Sequence, residues 1–327
     1  MSKVFKIRQE IKMQKRTGIT IIAWKKLSHR SELLAQALNG KLVFFKDDLP
    51  YIQATVKTFI NVIRQKPRVL LLQLPQGLLL IEAYLLKKLV NCKIIADVHT
   101  GFLLSTNWKG LILNAPFVKL LSLADIVVAH NEAQLDIIPK NVKNKTIVVY
   151  DPWNLITTES KINKQENYMV FPASFAPDEP LEEIIEAANS AEQSLKLYIT
   201  GNWKRTPELK KYASEKVQFT GFLSNQEFKD LLSGASAIIT GTTREYTTMM
   251  SAWEAIAHNK PLATTATKTL KTMYPHYATF YNWKNKQNII KTLQIINVTK
   301  IDPKAREELK QQTSQRLDQL KQKIANL

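Results

Sequence analysis

Short apolar runs of strand type alternate with helical patterns from residue 18 onward, and this alternation constrains the fold more than any other feature. Such runs contain few polar residues, which is typical of strands buried on both faces of a parallel sheet. In the first half the predicted strands are 18–24, 41–45, 68–74, 93–99, 125–130 and 146–150, and the predicted helices are 28–40, 51–66, 77–90 and 111–124. Strands that alternate with helices predict βαβ units and an α/β fold of the doubly wound, Rossmann-like type.

The second half repeats this alternation after a polar, turn-rich stretch over 151–167 that is typical of a linker. The tail, 305–327, predicts one long amphipathic helix. The predicted strands of this half are 167–174, 195–201, 217–221, 236–241 and 261–265, and its predicted helices are 179–191 and 224–235. We therefore predict two Rossmann-like domains, 1–155 and 156–304, followed by the helix over 305–327.

The composition predicts a packed core in a reducing environment. Hydrophobic residues make up 45% of the chain, which is ample for a core, and the low content of Gly and Pro excludes a disordered or fibrous protein. The single cysteine, Cys92, cannot form an internal disulfide and favours a cytoplasmic setting. The basic segment 1–16 lacks the apolar core of a secretory signal. No run reaches the roughly 18 apolar residues that a membrane-spanning helix needs.

Positive charge is concentrated in the first half of the chain. The whole chain has 46 Lys/Arg against 28 Asp/Glu, a net charge of +18. Residues 1–150 have 23 Lys/Arg against 9 Asp/Glu, a net +14, and this leaves +4 for residues 151–327. The asymmetry favours an anionic partner, either a membrane surface, a nucleic acid or an anionic substrate. The alternative is that a lysine-rich composition only keeps the protein soluble.

Two segments of the first half combine apolar residues with Trp or Lys, as helices that lie on a membrane surface do. They are GLLLIEAYLLKKLV (77–90) and NWKGLILNAPFVKLLSLA (107–124). Ordinary helices that pack on a parallel sheet have similar sequences, so this alternative stays open. The net +14 of the first half favours the membrane.

Polar loops follow four of the predicted strands. They are ADVHTGF (96–102), PASFAPDEP (172–180), TGNWKR (200–205) and GTTREYTT (241–248). Doubly wound sheets bind their ligands outside the carboxyl ends of the strands. We therefore expect the functional residues to lie in these loops.

The loop GTTREYTT (241–248) has the residues that a diphosphate site requires. It leads onto a predicted helix, whose N-terminal N–H groups and dipole favour anions. Arg244 adds a fork suited to phosphate oxygens. Short hydroxyl donors come from Thr242, Thr243, Thr247 and Thr248. The alternative is that one of the last two threonines caps the helix and that Arg244 is solvated.

Glu254 lies off the apolar stripe of the helix that follows this loop. The stripe consists of Met249, Ala252, Trp253 and Ile256. A carboxylate in this place can accept hydrogen bonds from a ribose diol, as the acidic residue of dinucleotide-binding folds does. The alternative is an ordinary charged helix face.

The order of motifs along the chain resembles the GT-B glycosyltransferases. GFLSNQEF (221–228), TTREYTT (242–248), WEAIA (253–257) and HNKPL (258–262) resemble the donor half of that class. They are most similar to the large retaining family whose motif is a glutamate, seven residues, a second glutamate and A-M-A-x-G-x-P.

The first half agrees with this resemblance. DVHTGF (97–102) and ADIVVAHNE (124–132) resemble the acceptor half of bacterial cell-surface polysaccharide transferases. The resemblance covers most of the chain and implies a GT-B fold. In that fold two Rossmann-like doubly wound domains face a cleft, and a C-terminal helix crosses back to the first domain.

The resemblance also implies which residues bind the donor, a UDP or GDP type of nucleotide-diphosphate sugar. They are Ser174, Gly201, Lys204, Arg205, Arg244, Tyr246, Thr247, Thr248 and Glu254. It assigns Glu245 a catalytic role. This chain departs from the family at two points. The first is the spacing of Glu245 and Glu254, which are nine residues apart instead of eight. The second departure is the loop PASFAPDEP, which has Asp and Glu where the family has the Arg and Lys that grip the diphosphate.

His99, at the end of a predicted strand of the acceptor half, is implied to be catalytic. Its ordinary pKa lies near neutrality, so it suits a general base for an inverting transfer. In a retaining transfer it would instead hydrogen-bond the donor sugar. Asp97 is expected to orient it, and Asp97, Thr100 and Gly101 are implied to contact the acceptor. No D-x-D pattern, Walker loop or Cys/His zinc spacing is present, so we expect no metal and no cofactor.

The expected function is transfer of a sugar from a nucleotide-diphosphate donor to a glycan or lipid-linked acceptor in cell-surface polysaccharide or glycoconjugate synthesis. We expect a peripheral protein at the inner face of the cell membrane, on an anionic membrane surface. Three alternatives stay open: a GT-B sugar-nucleotide epimerase, a non-catalytic GT-B-like subunit that binds a partner transferase or membrane, and a nucleic-acid binder. Charge alone suggests the last, and no helix-turn-helix, RNP-type or zinc signature supports it, so no nucleic-acid partner is expected.

Overall fold

A computed structural model describes residues 18–46, 51–74, 76–105, 108–162, 166–191 and 196–327. The basic segment 1–16 and residues 163–165 of the predicted linker lie outside the described residues, as does residue 195 of a predicted strand. The chain divides into two units. Unit 1 runs to Tyr150 and includes Arg316–Leu327, and unit 2 is Asp151–Gln315.

Unit 1 is built on a parallel sheet with the strand order β2-β1-β3-β4-β5-β6. The strands are β1 (Ile19–Lys25), β2 (Lys41–Lys46), β3 (Val69–Leu74), β4 (Lys93–Val98), β5 (Ile126–Ala129) and β6 (Thr146–Val148). Ile21, Leu71, Ile95 and Ile126 are paired in register across four neighbouring strands. All four side chains are buried in one core cluster, so the apolar runs of the sequence are explained by burial of the sheet.

The helices of unit 1 cover this sheet. They are α1 (His29–Ala37), α2 (Tyr51–Gln65), α3 (Gly77–Val90), α4 (Thr100–Leu103), α5 (Trp108–Leu113) and α6 (Ala115–Val118). The prediction of one helix over 111–124 is wrong, because a 3-10 turn at Lys119–Leu123 follows two short helices. Pro116 lies in the first turn of α6 and has no N–H to continue the helix before it.

Unit 2 repeats this architecture with the strand order β12-β11-β10-β7-β8-β9. Its strands are β7 (Tyr168–Pro172), β8 (Lys196–Thr200), β9 (Val217–Gly221), β10 (Ala237–Ile239), β11 (Leu262–Thr265) and β12 (Ala278–Tyr281). Strand β12 was not predicted. Its four residues, ATFY, are mostly half-buried at the edge of the sheet and form no apolar run of strand type.

The helices of unit 2 are α7 (Leu181–Ser190), α8 (Asn225–Gly234), α9 (Met250–Ala257), α10 (Lys268–Met273) and α11 (Lys286–Ile296). Helix α8 begins with a capping box of Ser224 and Glu227, as the spacing S-N-Q-E predicts. Helix α9 ends before Asn259, which takes a left-handed φ of 53°. Helices α10 and α11 were not predicted, and α10 is too short to show a clear period.

The last helix, α12 (Pro303–Ala325), contributes to both units. Ala305 and Leu309 are buried in its first half. Leu317, Leu320 and Ile324 belong to the core cluster of unit 1. The expected return of the C-terminal helix to the first domain is therefore confirmed.

The polar stretch 151–167 is not a free linker at its start, because Trp153 is buried in unit 2. Its indole Nε1 donates to Thr313 Oγ1 at 3.0 Å. The guanidinium of Arg306 lies 5.2 Å from the centre of its ring. These contacts fix the entry of the chain into unit 2. Among the described helices, none is long and apolar enough to cross a bilayer.

Candidate functional site

The carboxyl ends of β4 and β5 bring four ionisable side chains together in unit 1. Asp97 lies near the end of β4, His99 follows that strand, and His130 follows β5, its neighbour in the sheet. Arg30 reaches them from the first turn of α1. We call these four residues the histidine cluster.

Arg30 and Asp97 form a buried, bidentate ion pair at the centre of the histidine cluster. Arg30 Nε donates to both Asp97 oxygens at 3.1 and 3.2 Å, and Nη2 donates to Oδ1 at 3.0 Å. His130 Nε2 lies 3.2 Å from Asp97 Oδ1. His99 Nε2 lies 3.7 Å from Asp97 Oδ2, beyond hydrogen-bond distance. The two imidazole rings meet edge to face, with their centres 4.6 Å apart.

These contacts determine the charge of the histidine cluster. Burial alone would raise the pKa of Asp97, but Arg30 and His130 outweigh it and hold that pKa well below its usual range. Burial lowers the pKa of His99 to about 3. The neighbouring His130 and Arg30 also lower this pKa, whereas Asp97 raises it. At neutral pH the cluster therefore contains the Arg30 cation, the Asp97 anion and a neutral His99.

The geometry of the histidine cluster also has to be tested as a possible metal site. The ligand atoms of Asp97, His99 and His130 all lie within 4.8 Å of one another, close enough to share an ion. However, both Asp97 oxygens are bonded to Arg30. A divalent cation would lie beside this guanidinium, which repels it in a buried setting. The residues do not fit a metal ion well, and its absence from the mechanism stays a prediction.

Thr100 and Gly101 differ in their surroundings. Thr100 is buried, and its hydroxyl accepts a hydrogen bond from Gln134 Nε2 at 3.0 Å. The Gln134 Oε1 accepts from the backbone N–H of His130 at 2.7 Å, which links Thr100 to the histidine cluster. A Cβ added at Gly101 would meet nothing within 4 Å, so packing does not require a glycine there.

In unit 2 the loops after β7, β8 and β10 lie at adjacent strand ends, as the strand order requires. Gly201 has a φ of +98°, and a Cβ there would lie 2.1 Å from the carbonyl oxygen of Ala173. Only glycine allows this close approach of two loops. Arg205 Nη1 donates to the carbonyl oxygen of Ser174 at 3.1 Å, so the structure brings Ser174, Gly201 and Arg205 together. The side chains of Lys204 and Arg205 are exposed.

The two acidic residues of the loop PASFAPDEP stabilise the loops themselves. Glu179 accepts hydrogen bonds from the N–H and hydroxyl of Ser174 at 3.0 and 2.7 Å, and from the N–H of Phe175 at 2.8 Å. Asp178 accepts a hydrogen bond from the hydroxyl of Thr242. This departure from the family motif therefore has a structural cause, since both carboxylates satisfy donors of neighbouring loops.

Glu245 lies at the N-terminus of helix α10. Its carboxylate accepts from the N–H of Lys268 at 2.9 Å and from the N–H and hydroxyl of Thr269 at 3.1 and 2.9 Å. These bonds lower its pKa and outweigh the opposite effect of burial. The next residue, Tyr246, has a φ of 63° and donates its N–H to the Thr269 hydroxyl. In this structure Glu245 caps a helix, and its predicted catalytic role stays a prediction.

Helix α9 begins without a side-chain cap. Its N-cap is Met249, and the Thr247 hydroxyl instead donates to the carbonyl oxygen of Glu245 at 3.2 Å. The alternative in which Thr247 or Thr248 caps this helix is therefore wrong. Glu254 is half-buried on α9, and burial raises its pKa to about 8. A carboxyl group that is protonated near neutrality can donate as well as accept a hydrogen bond.

Comparison with known protein families decides the class of unit 2. Residues 155–316 match the family described as glycosyl transferases group 1. Unit 2 is a group 1 glycosyltransferase domain. The resemblance inferred from the motifs of the second half is thus confirmed. A comparison with curated proteins finds no match.

Solved structures of glycosyltransferases share the whole fold. Anabaena HepE in complex with UDP and glucose has a TM-score of 0.71 and 12% identity, over 95% of this chain and 100% of that one. The E. coli trehalose-6-phosphate structure bound with UDP-2-fluoro glucose has a TM-score of 0.70 and 9% identity, over 95% and 99%. The lipopolysaccharide outer core galactosyltransferase WaaB has a TM-score of 0.59 and 12% identity, over 93% and 100%. The expected GT-B fold is therefore confirmed.

The group 1 glycosyltransferase domain contains all the predicted donor-binding residues, whereas the histidine cluster of unit 1 lies outside the match. Sequence reasoning missed Arg30 and His130, which are 67 and 33 positions from Asp97. His130 carried one signal, because it is the last residue of a predicted strand. Arg30 carried none, since it lies inside a predicted helix.

Proposed function

We propose that this protein is a glycosyltransferase that transfers a sugar from a nucleotide-diphosphate donor, with the donor bound at the strand ends of unit 2. The observation that carries the proposal is the convergence of three loops inside the group 1 domain. Gly201 allows two of them to touch, and the hydrogen bond from Thr242 to Asp178 ties in the third. Loops held this way present backbone N–H groups and hydroxyls to an anion without large rearrangement.

The roles of the donor-binding residues follow from their positions. Lys204 and Arg205 are exposed cations that replace the missing Arg/Lys pair of the family at the diphosphate. Arg244, Thr247 and Thr248 precede helix α9, whose uncapped N-terminus adds N–H donors. Glu254 binds the ribose diol. Ser174, Gly201 and Tyr246 shape the pocket, and Glu245 acts on the sugar only if it leaves the helix cap.

Uridine nucleotides are the first donors to test. HepE is described in complex with UDP-glucose, and the E. coli structure is bound with UDP-2-fluoro glucose. At 9 to 13% identity these proteins share the fold alone, so GDP conjugates remain part of the test. We propose no cofactor and no catalytic metal.

The acceptor belongs to unit 1, at the strand end that contains Asp97, His99, Thr100 and Gly101. His99 exposes 25% of its side chain, whereas Asp97 is fully buried and Thr100 nearly so. Among these three side chains, His99 is therefore the one that reaches a substrate directly. The acceptor we propose is a glycan or lipid-linked sugar of cell-surface polysaccharide synthesis.

An unusual helix of unit 1 supports a lipid-linked acceptor. Helix α2 buries Ala54, Thr58 and Val62 and turns its larger apolar side chains outward. The exposed ones are Ile52, Val56, Phe59 and Ile60, at 78%, 51%, 44% and 43%. Helix α3 packs against α2 and exposes Leu78, Leu85 and Leu89. We call these seven residues the apolar face.

The charge of unit 1 indicates what covers the apolar face. The first half of the sequence has a net charge of +14, and Lys57 and Lys88 lie on the same two helices. Exposed apolar side chains with neighbouring lysines suit the headgroup region of an anionic bilayer. We therefore propose that unit 1 lies on the inner face of the cell membrane, where a lipid-linked acceptor is found.

Thermal-shift measurements test the donor proposal. UDP, GDP, ADP, CMP and their sugar conjugates are screened against the wild type, Glu254→Ala and the control Glu307→Ala, whose side chain is exposed on α12. A ligand at about 100 times its dissociation constant adds about 2.7 kcal/mol of stability. We expect one nucleotide to stabilise the wild type and the control but not Glu254→Ala. Release of nucleotide from the sugar conjugate then tests catalysis, and binding without release would favour a non-catalytic subunit.

Vesicle flotation tests the apolar face. We expect binding to phosphatidylglycerol vesicles, loss of binding in Ile52→Ser/Phe59→Ser, and no loss in Ile295→Ser/Val298→Ser. The last two residues are exposed apolar positions of unit 2 and serve as the matched control. No binding, or equal binding by both double variants, would contradict the proposal. A concentration-dependent dimer that the first double variant abolishes would assign the face to a second copy instead.

A further inference from the structure

The histidine cluster of unit 1 resembles a catalytic Asp–His pair at first sight, yet its charges are arranged differently. In such a pair the carboxylate accepts a hydrogen bond from the imidazole and stabilises its protonated form. Here both oxygens of Asp97 are bonded to Arg30, and both residues are almost completely buried, at 0% and 3% exposure. The negative charge that would favour a protonated imidazole is therefore already balanced.

His130 takes the position that the catalytic histidine of such a pair would occupy. Its Nε2 lies 3.2 Å from Asp97 Oδ1, whereas His99 Nε2 lies 3.7 Å from Oδ2. The His130 ring also packs edge-on against the His99 ring, with an interplanar angle of 75°. His130 thus contacts the carboxylate of Asp97, and its ring supports the more exposed His99 ring by packing.

The backbone fixes His99 on its other side. Its N–H donates to the carbonyl oxygen of Leu74 at 3.2 Å, which extends the pairing of β3 and β4 by one residue. Its own carbonyl oxygen accepts from Phe102 and Leu103 at 2.9 and 3.3 Å as the N-cap of α4. The ring is 25% exposed although Nε2 is buried, so it reaches solvent through its other atoms.

We propose that Arg30 and His130 are positioning residues that keep the His99 imidazole neutral and fixed, so that His99 serves the transfer as a hydrogen-bonding group and not as a general base. This inference rests on the proposed function for the role of His99 in transfer. The charge state of the ligand-free cluster does not depend on that function. An imidazole with such a low pKa is a weak base, which argues against the inverting alternative in which His99 deprotonates the acceptor.

The charged and titratable groups around His99 agree with a neutral ring. Burial, His130, Arg30 and Lys26 lower its pKa, and Asp97 alone raises it. The folded value of about 3 lies below the ordinary value of 6.5. Replacing Arg30 by a neutral residue removes one of these effects and leaves Asp97 unbalanced, so the pKa of His99 must rise.

Carbon-13 NMR of labelled histidine side chains in the full chain tests this without any substrate. The chain has five histidines, and the signal of His99 is assigned with His99→Asn. In the wild type we expect the His99 signal not to titrate between about pH 8 and pH 5. In Arg30→Gln, which keeps hydrogen-bond donors near Asp97, we expect the midpoint to rise by more than one pH unit. Arg30→Lys, which keeps the charge, should restore the wild-type behaviour, and Arg64→Gln on the exposed end of α2 should change nothing.

A wild-type His99 that titrates near pH 6 to 7 would overturn the proposal, and so would an Arg30→Gln variant with an unchanged His99 midpoint. If Arg30→Gln does not fold, the wild-type titration still decides the charge state. The double variant Arg30→Met/Asp97→Asn then decides the balance of charges, because we expect it to fold and to keep His99 neutral. A charged His99 in the double variant would contradict the account.

The pH dependence of kcat provides the second readout. With a neutral His99, kcat of the wild type should not show the tenfold fall per pH unit below neutrality that a general base titrating near pH 7 would give. In Arg30→Gln such an acid limb should follow the new His99 midpoint. If no donor nucleotide binds or reacts, the proposed function fails while the NMR result stands. If transfer occurs and the wild-type His99 titrates near neutrality, the inference fails alone.

Discussion

The two sheets of this protein carry loops of opposite character at the carboxyl ends of their strands. In unit 1 the side chains of Arg30, Asp97 and His130 are buried, and Asp97 is hydrogen-bonded to Arg30 and in contact with His130. In unit 2 the acidic side chains bond to loop backbone, and Lys204 and Arg205 are exposed. The first arrangement holds one imidazole in place, while the second leaves cations and N–H groups available to a ligand. Two similar folds thus present different groups at their loops.

The largest effect should come from breaking the buried ion pair of unit 1. Asp97→Ala leaves the Arg30 guanidinium buried without its partner, and we expect a loss of about 3–5 kcal/mol in the free energy of unfolding. Asp318→Ala, on the exposed side of α12, is the control and should change stability by less than about 0.5 kcal/mol. Denaturant titration measures both. A small effect of Asp97→Ala would mean that the cluster is not an integral part of unit 1.

The loop contact of unit 2 should be next in size. Gly201→Ala puts a Cβ 2.1 Å from the Ala173 carbonyl oxygen at a φ of +98°, so two loops must separate. We expect a loss of about 2–3 kcal/mol together with loss of nucleotide binding. Gly101→Ala is the matched control in unit 1, where nothing lies within 4 Å of the new Cβ. Since alanine favours a helix, this control should be neutral or slightly stabilising. Equal effects of the two variants would contradict the described loop packing.

Glu254 should give a smaller effect that depends on pH. Its folded pKa of about 8 lies above its unfolded value, so the folded state binds the extra proton between about pH 4.5 and pH 8. Stability must therefore fall as pH rises through this range. Glu254→Gln should match the wild type near pH 5 and exceed it near pH 8 by an amount on the order of 1 kcal/mol, after discounting for solvent screening of a half-buried group. Parallel stability curves for the two proteins would show that Glu254 is ionised in the folded state.

The smallest effect should come from the helix cap. Glu245→Gln weakens the interaction with the N–H groups of Lys268 and Thr269, and the loss should be about 0.3–1 kcal/mol. Because its folded pKa is lowered, this stability is present above the unfolded pKa of 4.5 and is lost as pH falls below it and through the folded pKa. Thermal unfolding of both proteins at pH 7 and pH 3 measures it. A large loss of transferase activity at unchanged stability would instead support the catalytic role predicted for Glu245.

The sequence reveals this architecture because local patterns determine most of it. The buried strands and the capping box at Ser224 are local signals, and the structure confirms them. The prediction of one helix over 111–124 fails because it gave the apolar content of this segment more weight than the stop signal of Pro116. The pairing of Arg30 with Asp97 joins residues 67 positions apart, so no local period predicts it. The cap formed by Glu245 needs helix α10, which is too short to predict from its period.

Hydrogen exchange with mass spectrometry, with and without UDP, tests the central claim most directly, because it locates the ligand without relying on a variant. We expect UDP to slow exchange in the loops 173–179, 201–206 and 242–249 of unit 2 and to leave the segment 95–104 of unit 1 unchanged. Where a screen identifies a different nucleotide, that nucleotide takes the place of UDP. Protection confined to unit 1, or none for any nucleotide tested, would contradict the assignment of unit 2 as the donor-binding unit of a glycosyltransferase.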